Sequence, residues 1–319
     1  MGIGSEVIEL LIQLRLSGHI PRRTSVMEIG AQQLAGSFIS ASRDLERLGG
    51  IFGVGRTLVL GKRAQSAIVH GELEHLDATA PSAREFWSWL GFQYAAIDID
   101  GSTGSIPLDL NFDDAPAAER GRYDLVTNFG TTEHVANQLN AFEIIHDLTA
   151  PGGVMIHQVP AQGMLNHGLI NYNFKFFWML GRSNGYKFVH VDFTPAQASY
   201  QTPENISEFV ARGDPTVINR MRSYRTVDVG ILVVMVKTFD IPFVPPLDVP
   251  TGTKTNIVPL RKRYWTVFQP EAFGDLRPHH SGLERGPRHA NVRPLRSSNA
   301  SSSDPKMVAS GKSVGRTCN

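Results

Sequence analysis

Three histidines lie at or near the ends of predicted strands: His134, His157 and His167. Histidine suits a general base for an oxygen or nitrogen nucleophile, because its reference pKa is near neutral. His167 lies in a polar loop and is our first candidate for this role. His134 is the second, although it could instead cap or pack against the helix predicted beside it. His157 lies inside an apolar segment, which favours a buried core histidine.

Glu133, His134 and His167 could alternatively supply oxygen and nitrogen ligands to a metal ion. Their spacing does not identify a metal site, so we expect no bound metal. The only cysteine, Cys318, excludes an internal disulfide and a cysteine-based zinc site.

The elements that must position these histidines form a predicted βαβ unit. An apolar run at 123–126 leads into a polar loop, and a helical pattern follows over 133–148, with Thr131 or Thr132 as its N-cap. A second apolar run at 154–156 continues to Pro160. Such a unit implies parallel strands with a right-handed crossover. Ligands bind at the carboxyl ends of the strands in such sheets, so chemistry is expected at 128–134 and 157–160.

Earlier apolar runs predict three more strands, each followed by polar residues. The run at 25–29 contains Glu28 and is followed by Gly30, and glycine at such a turn lets the backbone approach a ligand. The run at 92–101 ends in Asp98 and Asp100, and a short third segment covers 108–111. The sequence therefore predicts several acids at one edge of a parallel sheet.

The remaining segments give a domain plan. We predict an amphipathic helix over 6–16, a helix over 82–90, a helix that starts at Phe174 and stops near Gly181, and a closing antiparallel pair at 185–191 and 227–237. Residues 37–82 read as an insertion or lid, with helix at 37–48 and a short strand at 57–60. The predicted units are 1–23 as an N-terminal helix packing on the body, 24–248 as the main domain, 249–274 as an extension and 275–319 as a disordered basic tail.

Charge and hydropathy limit the function classes. The formal net charge is +1, but residues 276–319 hold eight Lys/Arg and two acids, which leaves 23 basic and 28 acidic residues in the body. The mild basicity of the chain is therefore no sign of a nucleic-acid-binding fold. The longest apolar run, 230–236, is too short to span a bilayer, and no signal pattern opens the sequence. We expect a cytoplasmic protein with no membrane or nucleic-acid partner; the sequence does not predict its oligomeric state.

In order and content, these segments resemble the class I S-adenosylmethionine-dependent methyltransferases from about Thr24 to Asp248. The resemblance is carried by 27–32, 97–100, 108–111, 123–128 with Glu133-His134, and 148–153. It implies an α/β fold with a doubly wound, mostly parallel seven-stranded sheet, helices on both faces and an antiparallel final hairpin.

The resemblance also implies where the cofactor S-adenosylmethionine would lie. Its methionine part would meet the first loop, its ribose the acids that end the second strand, and its adenine the residues after the third strand, with the fourth loop running alongside. The implied residues are, in that order, Glu28, Gly30 and Gln32; Asp98 and Asp100; Asp109 and Leu110; Asn128, Phe129 and Gly130.

The function that the resemblance implies is methyl transfer to a small-molecule acceptor, which we expect to be an oxygen. Two alternatives stay open. One is a scaffold that binds S-adenosylmethionine without turnover. The other is a nicotinamide-dependent oxidoreductase, which the missing G-x-G-x-x-G and Tyr-x-x-x-Lys patterns disfavour.

Overall fold

The computed structural model describes residues 2–34, 42–58, 82–101, 104–164, 167–200, 226–248 and 258–265, all within the larger of two units, Met1–Ser281. The described elements are α1 (Ser5–Leu16), β1 (Ser25–Ile29), α2 (Ser42–Phe52), α3 (Ala83–Trp89), β2 (Gln93–Asp98), β3 (Ile106–Pro107), β4 (Tyr123–Phe129), a 3₁₀ turn (Thr132–His134), α4 (Gln138–Leu148), β5 (Thr149–Gln162), α5 (Phe174–Asn184), β6 (Lys187–Tyr200), β7 (Thr226–Val236) and α6 (Val258–Arg263). The tail predicted at 275–319, and most of the predicted insertion and extension, lie outside the described residues.

The seven strands form one sheet in the order β3-β2-β1-β4-β5-β7-β6. Strands β1 to β5 pair in parallel, and β7 runs antiparallel to both β5 and β6. The chain starts in the middle of the sheet, builds outward to β3 and then returns across β1 to β4. The predicted doubly wound, mostly parallel α/β fold with an antiparallel final hairpin is confirmed.

Helices cover both faces of the sheet. Side chains alternate along a strand, so Val26 and Val154 face a layer made by α1, α2 and α3, while Met27 and Met155 face α4 and α5. These four side chains are at most 1% exposed. Burial of each such side chain contributes about 1.5–3 kcal/mol, so both apolar layers hold the central strands in place.

Helix α1 lies on the sheet through six buried residues between Val7 and Leu14. Its first turn reaches β5, because Gln158 Nε2 donates to Glu6 Oε1 at 2.8 Å. Its outer side carries an exposed ion pair in which Arg47 on α2 lies 2.9 Å from Glu9. The N-terminal segment is therefore packed beside the carboxyl half of the sheet.

The predicted helix start at Glu133 is wrong. A single 3₁₀ turn forms there, Val135 is extended, and α4 begins only at Gln138. Asn137 is the N-cap, with its side chain accepting from the Asn140 amide. Thr132 does not cap a helix because its amide donates to Asn128 and its hydroxyl accepts from Tyr172.

Two other boundaries also differ from the prediction. Helix α5 continues past Gly181 to Asn184. Gly181 packs against an aromatic ring, since a Cβ there would lie 2.7 Å from Phe188 Cε2. The helix ends at Gly185, whose φ of 65° is left-handed. The third strand is Ile106–Pro107, and residues 108–111 form the turn that follows it.

The apolar run at 230–236 is the buried strand β7. Among the described residues, no helix combines the length and hydropathy needed to cross a membrane.

Among the described residues, two histidines are buried, and both are neutral near pH 7. His146 on α4 contacts Tyr186 Oη at 2.6 Å through Nδ1 and the Ile241 carbonyl at 2.7 Å through Nε2. The carbonyl can only accept, so Nε2 carries the proton. Burial, and then the nearby Lys237 charge, lower the pKa of His146 to about 4. Burial alone lowers the pKa of His157, which lies in β5, to about 3.

These two histidines predict a loss of stability in mild acid. In the unfolded chain they bind protons below about pH 6.5, whereas in the folded chain they bind them only near pH 4 and 3. As the pH falls from 6.5 towards 4, each should therefore remove up to about 1.4 kcal/mol of unfolding free energy per pH unit. Urea denaturation at a series of pH values measures this slope. His146→Gln should remove one histidine's share of it, and an unchanged slope would contradict the assignment.

Candidate active site

The loop after β1 lies against the loop after β4 at the carboxyl edge of the sheet. Gly30 has a φ of +79°, and its amide donates to the Ile97 carbonyl on β2 at 2.9 Å. A Cβ at Gly30 would lie 2.4 Å from Thr131 Oγ1. Both the backbone angle and this close approach require glycine, because other residues rarely adopt such an angle.

Gln32 ties the two loops together. Its side chain is nearly buried, and Nε2 lies 3.1 Å from the Ile29 carbonyl and 3.0 Å from both the Gly30 carbonyl and Thr131 Oγ1. An amide nitrogen shared among three acceptors closes the first loop on itself and on its neighbour. Gln32, predicted to contact the cofactor, thus shapes the loop with this nitrogen.

Glu28, near the end of β1, holds this loop in place by a hydrogen bond. Its side chain is fully buried. Oε1 accepts from Trp87 Nε1 at 2.6 Å. Oε2 accepts from Tyr94 Oη at 2.8 Å and from the backbone amide of Gln32 at 3.0 Å. Three donors to one carboxylate are the kind of enclosure that a buried charge requires. The structure places Glu28 as a brace between β1, α3 and β2, behind the loop where the sequence predicted a direct contact.

The acids that end β2 and follow β3 lie at the same edge. Asp98 Oδ2 accepts from the Ala31 amide at 2.8 Å, which joins the end of β2 to the first loop. Asp100 is exposed beyond it. Asp109 turns the chain after β3, since its Oδ1 accepts from the Asn111 amide at 2.8 Å. Leu110, named beside Asp109 by the resemblance, is buried, with 7% of its surface exposed.

Two large apolar side chains stand exposed beside these acids. Ile99 is 72% exposed between Asp98 and Asp100, and Phe112 is 86% exposed shortly after Asp109. Sequence reasoning missed both. The sequence feature that could have indicated Ile99 is its place between Asp98 and Asp100 at the end of a strand. An apolar side chain between two acids at such a position is not expected to be part of the core.

The end of β4 is buried more deeply than predicted. Asn128 and Phe129 are fully buried in the strand, and only Gly130, with a φ of +81°, begins the loop. Asn128 braces that loop: Nδ2 donates to Thr132 Oγ1 at 2.8 Å, and Oδ1 accepts from the Thr132 amide at 3.2 Å. The side chain of Asn128 therefore fixes the loop that carries Glu133 and His134.

The two candidate histidines meet a buried acid just beyond this loop. His167 Nε2 lies 3.3 Å from Glu133 Oε1, and the ring centres of His134 and His167 are 5.2 Å apart. We call Glu133, His134 and His167 the acid–histidine cluster. Glu133 is fully buried, and among the described residues its Oε2 has no hydrogen-bond partner. The structure thus brings both predicted histidines to one carboxylate.

Backbone contacts fix the cluster across two loops. The Glu133 carbonyl accepts from the Leu169 and Ile170 amides at 2.8 and 3.1 Å, so the loop after β5 is bonded to the loop after β4. At Gly168 a Cβ would lie 2.9 Å from Glu133 Cγ, and the absence of a side chain allows this approach. The position of His167 relative to Glu133 is therefore set by main-chain geometry.

The surroundings of the cluster favour a neutral His134. Desolvation by the loops lowers the pKa of His134, the Glu133 carboxylate raises it, and the neighbouring His167 lowers it again. The net direction of the pKa shift is downward, although His134 itself is exposed. A neutral imidazole offers a nitrogen lone pair, which can accept a proton or bind a cation.

The chain matches the protein family described as "Methyltransferase domain" over residues 7–198, more than half of its length. No curated protein matches it. One similar solved structure is a SAM-dependent methyltransferase from Archaeoglobus fulgidus, 12% identical with a TM-score of 0.35, covering 72% of this chain and 94% of that one. Another is 1,6-didemethyltoxoflavin-N1-methyltransferase from Burkholderia thailandensis, solved with 1,6-didemethyltoxoflavin and S-adenosylhomocysteine, 11% identical with a TM-score of 0.36, covering 73% and 78%.

The family match runs from α1 into β6, so it includes the first loop, the acids at the ends of β2 and β3, and the acid–histidine cluster. It decides against the nicotinamide alternative. The chain therefore belongs to the methyltransferase-domain family and is an S-adenosylmethionine-dependent methyltransferase.

Proposed function

We propose that this enzyme transfers the methyl group of S-adenosylmethionine to an oxygen of a small-molecule acceptor, and that the acid–histidine cluster activates that oxygen. The observation that carries the proposal is the meeting of Glu133, His134 and His167 at the carboxyl ends of β4 and β5. The loop that bears Glu133 is bonded to the glycine loop after β1 through Thr131 and Gln32.

The residues at the sheet edge fit the cofactor. The first loop offers the backbone of Gly30, which has no side chain of its own and packs closely against Thr131 of the neighbouring loop. Asp98 and Asp100 place carboxylates at the end of β2, where ribose hydroxyls can donate to them. Ile99 and Phe112 supply exposed apolar surface for the adenine ring. In this proposal Gly30, Asp98, Asp100, Asp109 and Gly130 line the cofactor.

Glu28, Gln32, Asn128, Phe129 and Leu110 have a supporting role in the same proposal. Each is at most 7% exposed, and the side chains of Glu28, Gln32 and Asn128 form hydrogen bonds with the loops or with the elements behind them. They set the backbone positions on which the exposed residues stand. Such positioning matters because methyl transfer depends mainly on holding the acceptor in line with the reactive methyl group.

The cofactor supplies an electrophilic methyl on a sulfonium, so the protein's chemical task lies on the acceptor side. An acceptor hydroxyl must lose its proton as its oxygen bonds to the methyl carbon and the carbon–sulfur bond breaks. A cluster of two histidines and a buried carboxylate favours that proton loss. An amine acceptor in its neutral form needs much less assistance, which is why the cluster favours oxygen.

Transfer of radiolabelled methyl to matched acceptors tests this proposal. Pairs of small aromatic and aliphatic compounds that differ only in a hydroxyl or an amine should be incubated with the enzyme and labelled S-adenosylmethionine. We expect transfer to hydroxyl members, with S-adenosylhomocysteine formed in equal amount. Preferential transfer to the amines would overturn the oxygen assignment while leaving the methyltransferase assignment intact.

A further inference from the structure

We propose that Glu133, His134 and His167 form a binding site for a divalent transition-metal ion. The spacing of these residues in the sequence predicts no bound metal, but in the structure their three side chains lie together. The geometry of the cluster supports metal binding by itself. The role of the ion in catalysis also rests on the proposed function. Two imidazole nitrogens and one carboxylate oxygen suit Zn²⁺, Mn²⁺, Fe²⁺ or Co²⁺ better than Mg²⁺ or Ca²⁺, which prefer oxygen.

The three side chains are close enough to share one ion. Each offers a ligand atom, and these atoms all lie within 4.8 Å of one another. Around a zinc ion with bonds of about 2 Å, ligand atoms lie about 3–4 Å apart. Closing the difference requires a small rotation, which the exposed His134 can make. Glu133 and His167 are already 3.3 Å apart.

The buried carboxylate is the independent sign of a missing cation. Glu133 is fully buried, yet its Oε2 meets no donor among the described residues and its Oε1 meets only His167. In the part of the chain that the structure describes, no lysine or arginine forms an ion pair with it. A buried charge without such partners is costly, and a metal ion would satisfy both oxygens at once.

A protonated His167 is the rival source of positive charge. It faces only one of the two oxygens, so Oε2 would still be without a partner. A metal ion instead draws on the neutral forms of both imidazoles. The Glu133 carbonyl accepts hydrogen bonds from the loop that carries His167, so two of the three ligands, Glu133 and His167, are already held close together.

A metal at this place would act on the acceptor. Three protein ligands leave positions open on the ion, as in catalytic rather than structural zinc sites. An acceptor hydroxyl in such a position would lose its proton to water more readily, because a bound ion would stabilise the negative oxygen. The acceptor class this favours is a vicinal diol, a catechol or a hydroxy acid, in which two oxygens can bind one ion.

Metal titration of the full chain, first freed of metal with a chelator, tests the site. Isothermal calorimetry with Zn²⁺ should show a one-to-one component that Glu133→Gln, His134→Gln and His167→Gln each weaken by at least about tenfold. His19→Gln and His190→Gln serve as matched controls and should leave that component unchanged. Magnesium should not compete. Absence of the component, or its survival in all three cluster variants, would overturn the proposal.

Thermal unfolding separates loss of the site from loss of the fold. Glu133→Gln removes a buried charge while keeping the shape, so the variant without metal should melt no lower than the unsubstituted protein. Zn²⁺ should raise the melting temperature of the unsubstituted protein and of His190→Gln but not of Glu133→Gln. An equal rise in Glu133→Gln would mean that the ion binds elsewhere, which contradicts the assignment.

Methyl transfer by the enzyme depleted of metal with a chelator distinguishes the metal site from the proposed function. Loss of transfer on chelation and its return with Zn²⁺ or Mn²⁺ would support both. Zinc binding at the cluster with full transfer in chelator would retain the site and remove its catalytic role. Transfer that depends on His167 without any metal binding would leave the proposed function standing with His167 as a free base, and would overturn the metal site.

Discussion

Replacing Glu28 with alanine is expected to lower the unfolding free energy by about 3–5 kcal/mol, the usual cost of breaking a buried charged network. Trp87 Nε1, Tyr94 Oη and the Gln32 amide would each lose their acceptor inside the protein. Urea denaturation of the purified variant measures the change. The same substitution should abolish saturable cofactor binding, because the Gln32 amide anchors the first loop.

Glu9→Ala is the matched control for Glu28→Ala. Glu9 is about half exposed and pairs with Arg47 on the surface of α1, so its loss should cost no more than about 1 kcal/mol. Glu28→Gln keeps one acceptor oxygen and should fall between the two variants. If Glu28→Ala lost no more stability than Glu9→Ala, the bracing role of Glu28 would be wrong.

Replacing His167 with glutamine is expected to reduce the turnover number by about 100-fold or more, the usual range for loss of acid–base assistance. The affinity for S-adenosylmethionine should stay within about twofold, because His167 lies on the acceptor side. Steady-state kinetics with the hydroxyl acceptor found in the screen, together with calorimetry, measures both quantities.

His190→Gln is the control for this change. His190 lies on the edge strand β6, where it pairs with Val234, and should leave both quantities unchanged. Equal turnover in His167→Gln and the unsubstituted enzyme would remove His167 from the catalytic machinery, whether or not the cluster binds metal.

The sheet could be predicted from the sequence because its strands and turns are encoded locally. Apolar runs of strand length, most of them followed by polar residues, indicated β1, β2, β4 and β5, and the resemblance then implied the topology of the sheet. The α4 start could not be predicted in this way. Thr132 has the local pattern of a helix cap. However, its hydroxyl accepts a hydrogen bond from Tyr172, which lies forty positions later in the chain.

The candidate site, like the sheet, could be predicted only where local sequence determines it. That Asp98, Gly30 and Gly130 lie at one edge follows from parallel strands, and the sequence predicted it. The burial of Glu28 did not follow, because Trp87 and Tyr94 reach it across 59 and 66 positions. Likewise, the sequence named Glu133, His134 and His167, but only the bond between their loops brings them within reach of one another.

Calorimetric titration with S-adenosylmethionine tests the central claim most directly. We expect saturable one-to-one binding, weakened by at least about tenfold in Gly30→Ala, where the new Cβ would press on Thr131. Gly18→Ala is the matched control, since Gly18 has nearly the same φ, +78°, but nothing within 4 Å of the new Cβ. A folded protein that gives no binding signal, or binds NADH instead, would contradict the account.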